Sequence, residues 1–339
     1  MKKICLSLLV ALLPICAIAT VHTVNNTGGA QYTTIQSAVV AAAPGDTIYI
    51  CGSSTGYAGP TTRKSDLTFI GTGFNVMKQN AVKSFINTSF SIGNNNKCFG
   101  IEFQGQILYI SGNPYLYFKR CRILGPISTG FVNSTLYSLE VDECISLSGL
   151  LSSSLHTSLI IRNTLFFSEN GNRPFMGLPY VGNMLIDHCT FVNETTLVID
   201  LFSGNLPSTL GITISNCVFW RITPNASSLT SYFNNYAAST DLNNYGSGNI
   251  SSSDWPFVST QAAVTTVFSY NYDLNVLATS PANNAANDGT DMGMYGGLNP
   301  YYASGEPPIP QIDSMQVVGT QFSPGGNMNV KFYSVKGKP

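Results

Sequence analysis

One apolar pattern recurs through the middle of the chain, and this recurrence limits the folds open to it more than any other feature. Leu116–Ile123, Leu139–Ser146, Leu159–Phe166, Met184–Phe191 and Ile212–Phe219 align without gaps, and Leu67–Phe74 and Asn96–Phe103 align more loosely. Their third residues are Phe69, Cys98, Phe118, Val141, Ile161, Ile186 and Ile214, separated by 29, 20, 23, 20, 25 and 28 residues. A unit this short cannot bury a hydrophobic face alone, so it must stack on its neighbours. Within each unit the first and third residues are apolar, as on the inward face of a strand. A polar residue or glycine stands fifth (Gly71, Gly100, Arg120, Glu143, Asn163, His188, Asn216), and the sixth and eighth positions turn inward again. Two inward residues, a bend and two more inward residues describe one coil of an all-β solenoid. The rival is a leucine-rich repeat, but its regular Leu-x-Leu and its asparagine ladder are missing.

Only 10% of the 339 residues are charged, against about 25% in ordinary globular proteins. With 44% hydrophobic residues the chain is not disordered, and a net charge of −1 leaves no basic footprint for nucleic acid. Asn, Ser, Thr and Gly take the place of charge, which suits short strands joined by tight turns. The start reads as a signal peptide over residues 1–19: Lys2 and Lys3, an apolar run from Ile4 to Ile15, and Ala17-Ile18-Ala19 as the cleavage site. The run is short of the roughly 20 residues that span a bilayer. Leu13-Pro14-Ile15 before Cys16 lacks the small residues of a lipoprotein signal. The expected address is secreted, periplasmic or cell-surface, with no transmembrane segment left after signal removal.

The flanks carry a family resemblance. Tyr32–Ile50, with Pro44-Gly45-Asp46, resembles the opening of pectin-lyase-like proteins. Asp254-Trp255-Pro256-Phe257-Val258, Ser280-Pro281-Ala282-Asn283 and Asp291–Gly297 resemble the closing rungs and tail of secreted bacterial members. The resemblance spans roughly residues 31 to 300. It implies a right-handed parallel β-helix over residues 20–305, as a monomer, with a short N-terminal capping helix started by Thr33 or Thr34. Residues 306–339 then read as a Pro-rich linker, Glu306–Pro310, and a small C-terminal β-hairpin around Ser323–Asn327, packed on the last coil or forming a short tail.

Six cysteines follow the signal. Cys121, Cys144, Cys189 and Cys217 hold the sixth position, with Thr164 in the intervening unit, and predict an inward column of small buried side chains. Neighbouring rungs lie about 4.8 Å apart, which permits Cys121–Cys144 and Cys189–Cys217 disulfides by distance. Parallel side chains are badly oriented for that bond, so free thiols are expected. With no C-x-x-C and no histidine cluster, no metal site is expected.

The fourth position faces outward and reads Lys119, Asp142, Arg162, Asp187, Ser215. Alternating signs predict a surface ion-pair ladder, and the same column is the candidate glycan-facing surface. Asp142 and Asp187, two rungs apart, are roughly 9.6 Å from each other by strand spacing, at the upper edge for an inverting glycosidase. Arg162 between them is expected to hold both ionised, which removes the general acid. A lyase, on the family resemblance, needs an Arg or Lys base and an acidic Ca²⁺ site. Lys119, Arg120 and Arg122 beside Glu140, Asp142 and Glu143 have the right types, yet no pectate lyase or polygalacturonase motif is present. His188 reads as a turn residue, His156 is isolated, and Asp288–Asp291 reads as a tight turn. Aromatics from Tyr232 to Tyr302 are expected to cover the core. Two functions stay open. One is a non-catalytic, glycan-binding or adhesive scaffold at the cell surface, without cofactor. The other is a polysaccharide lyase or glycoside hydrolase acting on an acidic polysaccharide, with Ca²⁺ if a lyase.

Overall fold

The computed structural model describes residues 19–79, 82–109, 115–129, 135–147, 149–152, 155–175, 180–195, 198–202, 211–223, 231–237, 246–309, 311–318 and 329–335. Residues 1–18 of the expected signal and the turn at Ser323–Asn327 lie outside these, as do the side chains of His156 and of the C-terminal strand pair. The chain winds as a right-handed parallel β-helix. From Thr68 to Ala237 each coil supplies a strand to the first sheet, bends, then adds a strand to the second; among the described residues the two sheets have ten and nine strands. A four-stranded third sheet completes the wall of the middle coils. Gln311–Val318 and Asn329–Val335 pair with each other as an antiparallel hairpin. Among the described residues no helix is long and apolar enough to cross a membrane.

The strand register reproduces the sequence repeat. Phe69, Cys98, Phe118, Val141, Ile161, Ile186 and Ile214 are successive lateral partners in the first sheet. The column continues past both ends of the recognised units, through Ile48 and to Tyr232. Ile48, Phe118, Val141, Ile161, Ile186 and Ile214 are fully buried. At the eighth position Phe166, Phe191 and Phe219 stack in parallel, with centroids 4.8 and 4.7 Å apart. That spacing is set by the rungs, so each ring meets its neighbour at the distance the backbone already imposes. Burying each phenylalanine contributes about 1.5–3 kcal/mol.

The bend between the first and second sheets costs backbone hydrogen bonds, and the sixth position restores them. The fifth residue takes a left-handed conformation at Gly100, Arg120, Glu143, Asn163, His188 and Asn216, with φ between 45° and 64°. The sixth side chain then points inward, accepting from the preceding coil and donating within its own. Cys144 Sγ accepts from the Cys121 N–H at 3.3 Å, and Thr164 Oγ1 accepts from the Cys144 N–H at 3.3 Å. Each donates back to the carbonyl two residues earlier, Cys144 to Asp142 at 3.1 Å and Thr164 to Arg162 at 2.8 Å. Cys189, Cys217 and Asn235 repeat the arrangement. The cysteines are free thiols, as expected. Their role is more polar than that of small hydrophobes, because Cys144, Cys217 and their counterparts accept a backbone N–H that the bend leaves behind, and donate to a carbonyl that already takes a backbone N–H from the preceding coil.

Two caps finish the solenoid. At the N-terminal end the helix Ile35–Ala41 buries Ile35, Ala38 and Val39 over the first coil, with Thr34 as its N-cap. Lys64 Nζ reaches the carbonyls of Val40 and Ala42 at its C-terminal end, both at 2.6 Å, where a cation also meets the helix dipole. Asp46 accepts from the Thr20 and Ala43 N–H groups and pairs with His22, which holds its carboxyl at about 2. The other cap is a long C-terminal strap. Outward-facing Ile145, Leu165, Phe167, Val192, Val218 and Trp220 of the second sheet are buried beneath Phe257, Leu274, Met292, Met294 and Tyr301 in a second core. The second sheet is therefore covered on both faces, as parallel sheets require.

The ladder predicts an unequal response at Thr164. Thr164→Val strands the Cys144 N–H, whose acceptor is Thr164 Oγ1, and should cost about 1–3 kcal/mol. Thr164→Cys keeps the donor and acceptor and should cost clearly less. Urea unfolding midpoints of the two variants check the order.

Candidate functional site

Strand parity sets the outer face of the first sheet. Tyr115, Tyr117 and Lys119 project from Tyr115–Lys119, Glu140 and Asp142 from Thr135–Asp142, and Arg162 from Leu155–Arg162. Lys119, Asp142, Arg162, Asp187 and Ser215 are lateral neighbours in register, as the repeat predicts. Their shortest ion pairs nevertheless leave the column. Lys119 Nζ pairs with Glu143 at 2.8 Å, and Arg120 Nε meets the same carboxylate at 2.6 Å. Arg162 Nη1 lies 2.8 Å from Glu140 Oε1 but 3.9 Å from Asp142 Oδ1. Asp187 instead accepts from Ser215 and Asn216 and pairs with His188. The expected ladder along one column is thus a set of diagonal pairs. Long side chains reach the next same-face position more easily than the group directly opposite, which is short in Asp142 and Asp187.

Two tyrosines complete the cluster. Tyr115 Oη donates to Glu140 Oε2 at 2.8 Å, and Tyr117 Oη donates to Asp142 Oδ2 at 2.9 Å. Glu140 thus has a donor on each oxygen, whereas Asp142 Oδ1 is buried without a hydrogen bond. Burial, seconded by the neighbouring Glu140 charge and opposed by Tyr117 and Arg162, pushes the Asp142 carboxyl above its ordinary value. Arg162 was expected to hold both aspartates ionised; it lowers Asp142 only in part and is not among the groups that lower Asp187. At Asp142 its guanidinium is too distant to offset desolvation. Asp187 is held below its ordinary value in spite of burial, and the groups responsible are His188, Ser215 and Asn216.

Beside this cluster the strap makes one wall of a polar cleft of about 120 Å³, lined by Asp142, Glu143, Arg162, Asn163 and Asn299. Asn163 is fixed there, because its amide donates to the Met294 and Gly296 carbonyls at 3.1 and 2.7 Å. Ligand pockets typically measure about 300–1,000 Å³, so the cleft admits a substituent and leaves the rest of a ligand on the open sheet. Of the candidate column, Asp142 and Arg162 line the cleft, while Lys119 is committed to Glu143 and Asp187 to Ser215, Asn216 and His188. Tyr115, Tyr117 and Asn299 were not among the sequence candidates. The tyrosines share the outward parity of Lys119, which is the signal that finds them; Asn299 sits in the strap and has none.

The remaining sequence candidates have structural roles. His188 is buried at its bend, and Asp288–Asp291 is a tight turn closed by Thr290 onto Asp288. Trp255, Phe257, Phe268, Tyr270, Tyr272, Tyr295 and Tyr301 cover the second core. Among the described residues no group of three or more His, Cys, Asp or Glu is placed to hold a metal ion. Away from the cluster, burial pushes the Glu194 carboxyl up to about 7, with Arg221 Nη1 3.8 Å away working against it. No family model matches the chain, and no curated protein matches it.

Glu194 carries a pH prediction. Its folded carboxyl holds the proton more tightly than an unfolded one, so it costs stability as pH rises from the ordinary glutamate range to about 7. Glu194→Gln should be more stable than the parent at pH 8, with the difference shrinking towards pH 5. Thermal melts at both pH values check the sign.

Proposed function

We propose that this is an exported, non-catalytic β-helix of the pectin-lyase-like kind that holds a glycan at the cell surface. The glycan lies on the outer face of the first sheet around Lys119, Asp142, Arg162 and Asp187. The observation that carries this reading is the fixed array running Tyr115, Glu140, Arg162, Asp142, Tyr117, in which every member is held by another. Saccharide recognition needs acceptors and donors whose positions are set before the flexible ligand arrives, since ordering them on binding costs affinity. Ile160 and Leu185 lie half-buried on the same face next to the cluster, so polar and apolar contacts alternate along it. A sugar ring presents hydroxyl edges and C–H faces in the same alternation.

A second reading, a polysaccharide hydrolase or lyase, draws on Asp142. Its raised carboxyl stands beside Glu140, which accepts from both Arg162 and Tyr115. A carboxyl raised by burial is the kind of group that serves as a general acid. The non-catalytic reading is preferred because Asp142 Oδ1 is buried and Oδ2 is committed to Tyr117, so neither oxygen is presented to a substrate.

The test is a panel of acidic and neutral polysaccharides, with and without Ca²⁺, followed by affinity electrophoresis, by reducing ends and by absorbance of unsaturated products. Retardation by at least one glycan, lost on Arg162→Ala and without turnover, is expected. Turnover abolished by Asp142→Asn overturns the non-catalytic reading, and no retardation by any glycan overturns glycan binding.

A further inference from the structure

Asp46 is a buried carboxylate with no permanently charged partner. Its side chain, at the N-terminal end of the stack, is 8% exposed, and among the described residues no lysine or arginine forms an ion pair with it. Oδ2 takes the Ala43 N–H at 2.7 Å and faces His22 Nε2 at 2.9 Å, while Oδ1 takes the Thr20 N–H at 2.7 Å. The N–H groups of Ala43 and Thr20, with His22, hold the carboxyl at about 2, so it is an anion at neutral pH. A charge taken out of water is expensive unless it is paired, and a histidine is a cation only when protonated.

Thr20 is where a permanent cation can arise. It stands just before the strand Val21–Val24, and its carbonyl accepts from the Thr47 N–H at 2.9 Å, which fixes its place. Thr20 and Ala19 are both exposed, and Ala17-Ile18-Ala19 is the cleavage motif of the sequence. Hydrolysis by a signal endopeptidase breaks the bond between the Ala19 carbonyl carbon and the Thr20 nitrogen. Water supplies a hydroxyl to Ala19 and a proton to Thr20. The new acid's proton then passes to the new amine, whose ordinary pKa is about 7.7–8.0. The nitrogen 2.7 Å from Asp46 Oδ1 thereby changes from a neutral amide to an ammonium. Charge-assisted hydrogen bonds are roughly twice as strong as neutral ones. The fold has already desolvated the carboxylate, and exposed Thr20 keeps its access to water, so the new charge adds attraction with little further desolvation.

We infer that Asp46 is the receptor for the mature amino terminus: cleavage after Ala19 creates an ammonium on Thr20, and its pairing with Asp46 locks the first strand of the solenoid onto the second. The inference rests on the exported reading above and is independent of the glycan. Val21–Val24 is the outermost strand of the first sheet and pairs on one side only, with Thr47–Ile50. Such an edge is where a stack frays or pairs with another chain. Asp46 directly precedes Thr47–Ile50, and His22 lies within the edge strand, so one carboxylate grips that strand at residues 20 and 22. Processing therefore tightens the end of the solenoid, and the uncleaved chain has the weaker closure.

Urea unfolding at pH 7 tests the capture on three forms that share the rest of the chain. One begins at Thr20, one at Ala19, which leaves the Thr20 nitrogen an amide, and one at N-acetylated Thr20. The free Thr20 form should have a folding equilibrium constant about tenfold larger than the other two, the scale of making one hydrogen bond ionic. In Asp46→Asn the difference between the Thr20 and Ala19 forms should vanish. If that variant does not fold, the acetylated form decides, because it removes the charge and keeps the carboxylate. A free Thr20 form no more stable than either of the others, or a difference that persists in Asp46→Asn, overturns the capture. Mass spectrometry of the chain exported by a bacterial host expressing residues 1–339 should find Thr20 first. A different first residue overturns the processing site, and retention in the cytoplasm overturns the exported reading itself. Thr20 first without a stability difference overturns the capture alone.

Discussion

Everything in this fold depends on turning the chain at the same place in every coil. The bend joining the first and second sheets has room for a single residue in the left-handed region, and most of the residues found there are not glycine. Such a conformation costs energy that neighbouring contacts must offset. The offset comes from the next side chain, which turns inward and accepts the backbone N–H that the bend leaves without a partner. Cysteine, threonine and asparagine all serve, since the requirement is a short group with an acceptor for that N–H.

The same bend organises the outside. A left-handed residue projects its side chain away from the core, and five successive bends place Arg120, Glu143, Asn163, His188 and Asn216 in one external row. Left to solvent these would be ordinary surface groups. Here they are almost fully buried, because the strap runs along the row and makes its polar contacts there. The strap's apolar side seals the second sheet, so one segment meets both needs. The candidate cleft is a by-product of this closure, formed where the edge of the strap stands beside the open first sheet.

The coil was legible because its signals are local and periodic. Inward parity, the bend and the sixth-position column recur at fixed offsets, and the register matches them residue for residue from Phe69 to Ile214. The second core was not, because its two sides lie far apart in sequence. Leu165 and Val218 are apolar in a position that an exposed strand would leave polar, and nothing local says that Met292 and Tyr301 cover them. The site was half legible. Alternating charges correctly placed Lys119, Asp142, Arg162 and Asp187 side by side. Parity carries no information about side-chain reach, so the diagonal contacts of Tyr115, Tyr117 and Arg162, and the free state of Asp142 Oδ1, appear only in three dimensions.

The strap also bears on how such a chain can vary in length. Between residues 287 and 306 it travels from the coil of Asn216 back to that of Asn75, touching Asn163 and Arg120 on the way. A free solenoid can gain or lose a coil by duplication or deletion, since each coil sees only its neighbours. In this molecule an added coil would move every strap contact beyond it by one rung, about 4.8 Å, and break the match between the two. The strap acts as a ruler laid along the stack, and the number of coils can change only if the ruler is recut with it.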